Sequence, residues 1–245
     1  MNGLQIIHAL GPIDVRNVWR DSLLRWMVGA SLMLGVLLRF GVPALTVWLA
    51  ARHEFDLVAY YPLLMSCVVL AMTIIVGTII GFLLLDERDD QTLSALQVTP
   101  LSMRSYLLYR LTLPMLVNVP LTVVVFWIAG VHTVSSGQLL LVAVVAGPLA
   151  PLFALYLAGF AANKVQGFAL TKASVFITMP PLVAWFVDTP RQYLFGVVPT
   201  YWPAKIFWQM SAGSGNSAAL IVIGVAFELL LLWLLVKRFE QVIRR

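Results

Sequence analysis

At 245 residues the chain could hold one or two soluble domains, but 61% of it is hydrophobic and only 11% is charged. Soluble domains average about 45–50% apolar and about 25% charged residues; a soluble fold of this size could not bury the excess, whereas a bilayer solvates it. The net charge of +5 does not signal nucleic acid, because the basic residues flank apolar segments and do not cluster on a polar domain.

At about 20 apolar residues per crossing, six spans are predicted near 24–50, 60–85, 103–129, 138–162, 172–188 and 218–236. The expected fold is an all-α integral membrane protein, a single transmembrane domain over 1–245 with no linker and no repeat. Six spans put both termini on one side. Twelve of the 16 Lys and Arg residues then fall on that side, and only Arg39, Arg52, Arg191 and Lys205 on the other. Short loops rich in Lys and Arg stay in the cytoplasm. Both termini and the loops 86–102 and 163–171 are therefore expected there.

In chain order, Met1–Pro12 lacks a charged start and a long apolar run, so no cleavable signal is expected and the first span serves as the targeting signal. Ile13–Ser22 splits at helical spacing into Val15, Val18 and Trp19 on one face, with Asp14, Arg16, Asn17, Arg20 and Asp21 on the other. Such a helix would lie in the cytoplasmic headgroup plane. The first span carries Arg39 near its middle. The second holds the sole cysteine, Cys67, which excludes an intrachain disulfide.

After the second span the chain runs straight into Asp86-Glu-Arg-Asp-Asp90, and then Leu93, Ala95, Leu96 and Val98 recur at a roughly helical interval. Asp89 and Asp90 suit a helix N-terminus, and Thr99-Pro100 closes this piece and opens the next. The pattern describes a short amphipathic helix held between two spans, able to dock on a soluble partner; a solvated charged hairpin would satisfy the same residues. Pro114, Pro120, Pro148, Pro151, Pro180 and Pro181 permit kinks within later spans.

The longest outer segment, 188–217, combines Pro190, Pro199 and Pro203 with Tyr193, Tyr201, Trp202, Phe207 and Trp208. Those aromatics favour an interface, which predicts a short, partly inserted helix near Pro203–Met210, followed by a flexible Gly213–Gly215 link. The last span carries Glu228 near its middle. An ionisable group so deep costs at least ~2.5–3.5 kcal/mol, so Arg39 and Glu228 are expected either to pair or to line one polar cavity. Alternatively, Arg39 lies nearer the outer interface, beside Gly41 and Pro43, and snorkels.

Several chemistries are missing from the pattern. No Gly-x-x-x-x-Gly-Lys-Ser/Thr cradle occurs, His8, His53 and His132 lack metal-ligand spacing, and there is neither a Gly-x-Ser-x-Gly elbow nor a His-Glu-x-x-His helix. No metal or cofactor site is expected in this chain, and nothing in it argues for an enzyme.

The Asp86–Ser102 stretch resembles the first cytoplasmic loop of type-two ABC exporter permeases, where a Glu-rich run, a coupling helix and Thr-Pro-Leu-Ser join the second and third spans. Ala162–Lys172 and Pro199-Thr-Tyr-Trp202-Pro203 also resemble that family, specifically its fluoroquinolone-exporter kind. The likeness runs from about Arg20 to Trp208. It implies a multi-pass permease of the bacterial inner membrane that pairs with a second permease subunit, same or homologous. Separate ABC ATPase subunits would bind the ATP and magnesium. Carried over, Glu87, Arg88, Asp89, Asp90, Thr92, Leu93 and Leu96 would form the ATPase-coupling surface, Asn163 and Lys164 would belong to a smaller second contact, and Ile13–Ser22 would be the connecting helix. The expected activity is ATP-driven outward export of a hydrophobic or amphipathic, drug-like or lipid-like compound. Two rivals stand beside it: a proton-coupled secondary transporter using Glu228, and a membrane assembly subunit without a transport path.

Overall fold

A computed structural model describes residues 3–89, 103–131, 133–213 and 217–243, and among these there is helix but no strand. Six helical stretches are long and apolar enough to cross a membrane, at 22–53, 58–89, 105–129, 136–160, 164–185 and 217–239. The predicted spans each overlap one of them. The protein is an all-α, multi-pass membrane protein.

Helix α1 (Gly3–Arg20) precedes the first span and is longer than the predicted Ile13–Ser22 segment. Asp21 ends it and starts α2 (Ser22–His53), since its Oδ1 accepts from the Leu23 and Leu24 amides at 2.8 and 3.2 Å. At the far end Glu54 adopts a left-handed conformation with φ of 51°. The chain then turns through a short 3-10 segment into α3 (Tyr61–Asp89). This second span is the hub. In its most apolar window 83% of residues are buried by protein, against 11% for α2, which faces its surroundings along most of its length.

Helix α4 (Met103–Ala129) is the third span. The fourth is broken: α5 (Ser136–Val145) stops before Gly147-Pro148, and α6 (Leu149–Phe160) resumes beyond them. Proline cannot supply the amide that would continue the ladder, so a break falls here. Ser135 opens α5 with a capping box, its Oγ accepting from the Gln138 amide while Gln138 Oε1 accepts from its own. The fifth span consists of α7 (Lys164–Ser174), a 3-10 turn over 175–178 and α8 (Met179–Trp185), which begins at Pro180 and Pro181.

Close packing of α3 on α6 needs small residues. A Cβ added to Gly77 would lie 2.6 Å from the Ala150 carbonyl oxygen and from Phe153 Cβ, and one on Gly81 would lie 2.9 Å from Leu157. Glycines four apart thus let the two backbones touch, the usual device where dispersion, not hydrophobic transfer, holds helices together.

The predicted inserted segment is α9 (Tyr201–Ser211), preceded by a 3-10 turn over 190–197. It is embedded in the bundle: Tyr201, Trp202, Ala204, Ile206, Phe207 and Trp208 are all buried by protein. It packs on α3 and on the last span, α10 (Ser217–Ile243). Thr200 Oγ1 donates to the Ile177 carbonyl at 2.6 Å, and Trp202 Nε1 donates to that of Gly196 at 2.9 Å. Most of the predicted Gly213–Gly215 link lies outside the described residues.

Candidate functional site

The ends of α1, α3, α4, α6 and α7 meet on the face that carries both termini, and their charged side chains form one layer there. Arg110, the eighth residue of α4, is only 1% exposed. Its Nη1 donates to Asp14 Oδ2 on α1 at 2.8 Å, and its Nη2 to Glu87 Oε1 on α3. Tyr109 gives its hydroxyl proton to the same Asp14 oxygen at 2.6 Å, and Tyr106 gives its own to Glu87 Oε2. Both ring faces lie near the guanidinium, with 5.5 and 5.4 Å from Arg110 Cζ to the ring centroids. Three helices are thereby tied by one buried cation, two carboxylates and two phenols, a set in which each charge has a partner.

A second knot lies beside the first. Lys164 Nζ, at the start of α7, donates to Asp21 Oδ2 at 2.7 Å and to Asp86 Oδ2 at 2.9 Å. Burial tends to raise the Asp21 pKa. The Lys164 hydrogen bond and charge, together with the Leu24 and Leu23 amides, outweigh that and hold the carboxyl below its ordinary value. Arg88 closes the layer. Its guanidinium donates to the carbonyls of Ala158, Ala161 and Ala162 at 3.1, 2.8 and 2.8 Å. Those are orphan acceptors at the end of α6, where a cation also meets the negative end of the helix dipole. Asn163 caps α7 through the Gln166 amide at 3.0 Å.

The sequence assigned Glu87, Arg88, Asn163 and Lys164 to a partner-facing surface. In the structure each also makes an internal bond, while Asp89 is about half exposed and approaches Arg88 at 3.9 Å. Asp90, Thr92, Leu93 and Leu96, and with them the predicted coupling helix, lie outside the described residues. Asp14 needs a correction. It was expected on the water-facing side of its helix, yet it is buried, while Ile13, Val15 and Trp19 are exposed. The physical reason is Arg110, whose buried charge requires a carboxylate from the neighbouring helix. Sequence reasoning also missed Asp21, Asp86, Tyr106, Tyr109 and Arg110 as a set. The available signal was Tyr106-x-x-Tyr109-Arg110, three groups on one helical face just inside a span.

Arg39 and Glu228 are not brought together. Arg39 Nη1 donates to the Ile128 carbonyl at 3.4 Å, in the last turn of α4 on the face opposite the termini, and it packs over Gly130. Glu228 is fully buried, and neither carboxylate oxygen has a hydrogen-bond partner among the described residues. Also among the described residues, no group of three or more His, Cys, Asp or Glu side chains could hold a metal ion.

A family model described as fluoroquinolones export permease protein Rv2686c-like matches residues 14–236. The chain is 35% identical, over 243 residues, to the fluoroquinolones export permease protein Rv2686c of Mycobacterium tuberculosis strain H37Rv, covering 97% of this chain and 95% of that protein. The same figures hold for the fluoroquinolones export permease protein MT2760 of strain CDC 1551. No solved structure matches the chain.

Proposed function

Because the chain belongs to the Rv2686c-like family of fluoroquinolones export permeases, we propose that it is the membrane-spanning subunit of an ATP-driven exporter. Two permease subunits would pair in a bacterial inner membrane, with both termini in the cytoplasm and separate ATPase subunits docked beneath. The cargo would be an amphipathic, fluoroquinolone-like compound moved outward.

The observation that carries this reading is how both ends of the 90–102 segment are anchored. Before it, Asp86, Glu87 and Arg88 hold α7, α4 and α6; after it, Tyr106, Tyr109 and Arg110 hold α1 and α3. A displacement imposed on 90–102 by a nucleotide-driven partner would therefore pass at once to five helices. In this view Asp89, Asp90, Thr92, Leu93 and Leu96 make the contact, and Glu87, Arg88, Asn163 and Lys164 transmit it. The two roles separate experimentally, with the chain and its ATPase reconstituted together in lipid. Leu93→Asp should abolish copurification with the ATPase. Arg88→Ala should leave copurification intact but lower drug transported per ATP several-fold. Export by the purified chain with no ATPase present would end this reading.

A second reading rests on Glu228, a buried carboxylate without a hydrogen-bond partner among the described residues, which would suit a proton carrier. It requires that Glu228→Gln abolish export and that collapse of the proton gradient do the same in wild type.

A further inference from the structure

On the face opposite the termini, α8, the 190–197 turn and α9 enclose a pocket of about 520 Å³, within the roughly 300–1,000 Å³ typical of small-molecule sites. One wall is an aromatic corner. Trp185 and Trp208 meet edge to face, with centroids 5.0 Å apart and planes at 76°. Trp208 is fixed in place, since its Nε1 donates to Ser66 Oγ on α3 at 2.8 Å and the ring is buried. A wall that is already ordered costs a ligand little to engage.

Opposite charges line the same pocket. Lys205 Nζ donates to Gln192 Oε1 at 2.6 Å and stands 6.0 Å from the centre of the Trp208 ring. An ammonium has three donors, and among the described residues no ion pair uses the others. Asp188, also on the wall, is exposed and forms no ion pair with Lys205. Burial lowers the pKa of Lys205, and the Asp188 charge opposes that shift. A partly desolvated ammonium is one whose charge an incoming anion stabilises.

We infer that this pocket binds a planar aromatic zwitterion, its carboxylate on Lys205, its ring against the Trp185–Trp208 corner and its ammonium toward Asp188. A neutral sugar would leave both charges unpaired, and a zwitterionic lipid headgroup could match them but has no flat ring to lie against the aromatic corner. This inference rests on the exporter reading and adds to it where the cargo sits on the side opposite the termini. It places no demand on the ATPase or on Glu228.

The test uses the full chain in lipid nanodiscs, without any ATPase. Binding of ciprofloxacin is compared with that of its methyl ester, which lacks the carboxylate, and of its N-acetyl derivative, which lacks the ammonium. Wild type should bind the ester at least tenfold more weakly than the parent. Lys205→Gln keeps a side chain able to reach Gln192 but removes the charge. It should weaken the parent about tenfold, leave the ester unchanged and bring their ratio near one. Asp188→Asn should do the same for the parent and the N-acetyl derivative. Wild-type affinities for parent and ester within twofold of each other overturn the inference. So does a Lys205→Gln chain whose parent-to-ester ratio equals that of wild type, whether all affinities persist or all fall together. Such a result leaves the exporter reading standing, because that reading is decided by transport with and without the ATPase.

Discussion

Arg110 can carry a charge in a fully enclosed site because Asp14 Oδ2, Glu87 Oε1 and the Tyr106 hydroxyl already accept from its three nitrogens. Removing only the cation leaves the Asp14 and Glu87 carboxylates without their shared counter-ion. Breaking one side of a buried charge set costs on the order of 3–5 kcal/mol, whereas replacing the whole set by neutral groups is often close to neutral. Arg110→Met alone should therefore lower the melting temperature in detergent sharply. The triple variant Asp14→Asn, Glu87→Gln, Arg110→Met should recover most of the loss. Asp21 makes a pH-dependent contribution. Its folded pKa lies below the ordinary value of 3.8, so at neutral pH both folded and unfolded chains are ionised. As pH falls the unfolded chain takes the proton first, and the stabilisation disappears as pH passes through the lowered folded value. The gap in melting temperature between wild type and Asp21→Asn should stay constant above about pH 5 and shrink below about pH 4.

Between elements, the controlling distance is that between α3 and α6. Gly77→Ala would put a methyl group 2.6 Å from the Ala150 carbonyl oxygen and from Phe153 Cβ, and backbone cannot give way as a side-chain tip can. A loss of about 1–3 kcal/mol is expected, measured by thermal unfolding in detergent. Gly29→Ala is the control, since no atom lies within 4 Å of its would-be Cβ; it should be neutral or slightly stabilising. The same closeness ties α10 to α9. A Cβ on Gly224 would fall 2.7 Å from that of Trp202, the tryptophan of the Pro199–Pro203 motif. The motif's residues thus serve to seat an inserted helix, with Thr200 fastening its start to the fifth span.

For the whole molecule, the cytoplasmic placement of both termini has a direct check. With the single cysteine changed by Cys67→Ser, the exposed positions Arg16, Arg52, Lys172 and Arg191 accept new cysteines one at a time. Arg52→Cys and Arg191→Cys should react with an impermeant maleimide in intact cells. Arg16→Cys and Lys172→Cys should react only after permeabilisation. Reversal of that pattern would place 90–102 on the wrong side for a cytoplasmic ATPase. The faces of α2, the fifth span and α10 that carry Trp26, Phe40, Phe176, Val183, Leu230 and Trp233 are exposed apolar surface, as expected of helices solvated by lipid.

Hydropathy was enough to give the number of spans and their approximate limits, and the apolar and aromatic residues of the outer segment to give a helix near Pro203–Met210. Each depends on transfer free energies summed along a local stretch, and such sums are written in consecutive residues. Pro148 was one of six prolines expected to permit kinks; the helix breaks there but runs on through Pro114 and Pro120. Which way a charge faces was not legible in the sequence. Asp14 reads as a surface acid because amphipathic spacing separates polar from apolar residues but cannot tell water from a buried guanidinium nearly a hundred positions later. Arg39 and Glu228 could be read either as partners or with Arg39 snorkelling outward, because counting residues gives depth and not azimuth around the bundle. Only the tertiary structure decided these matters, since the burial of a charge and the identity of its counter-ion depend on which helices touch.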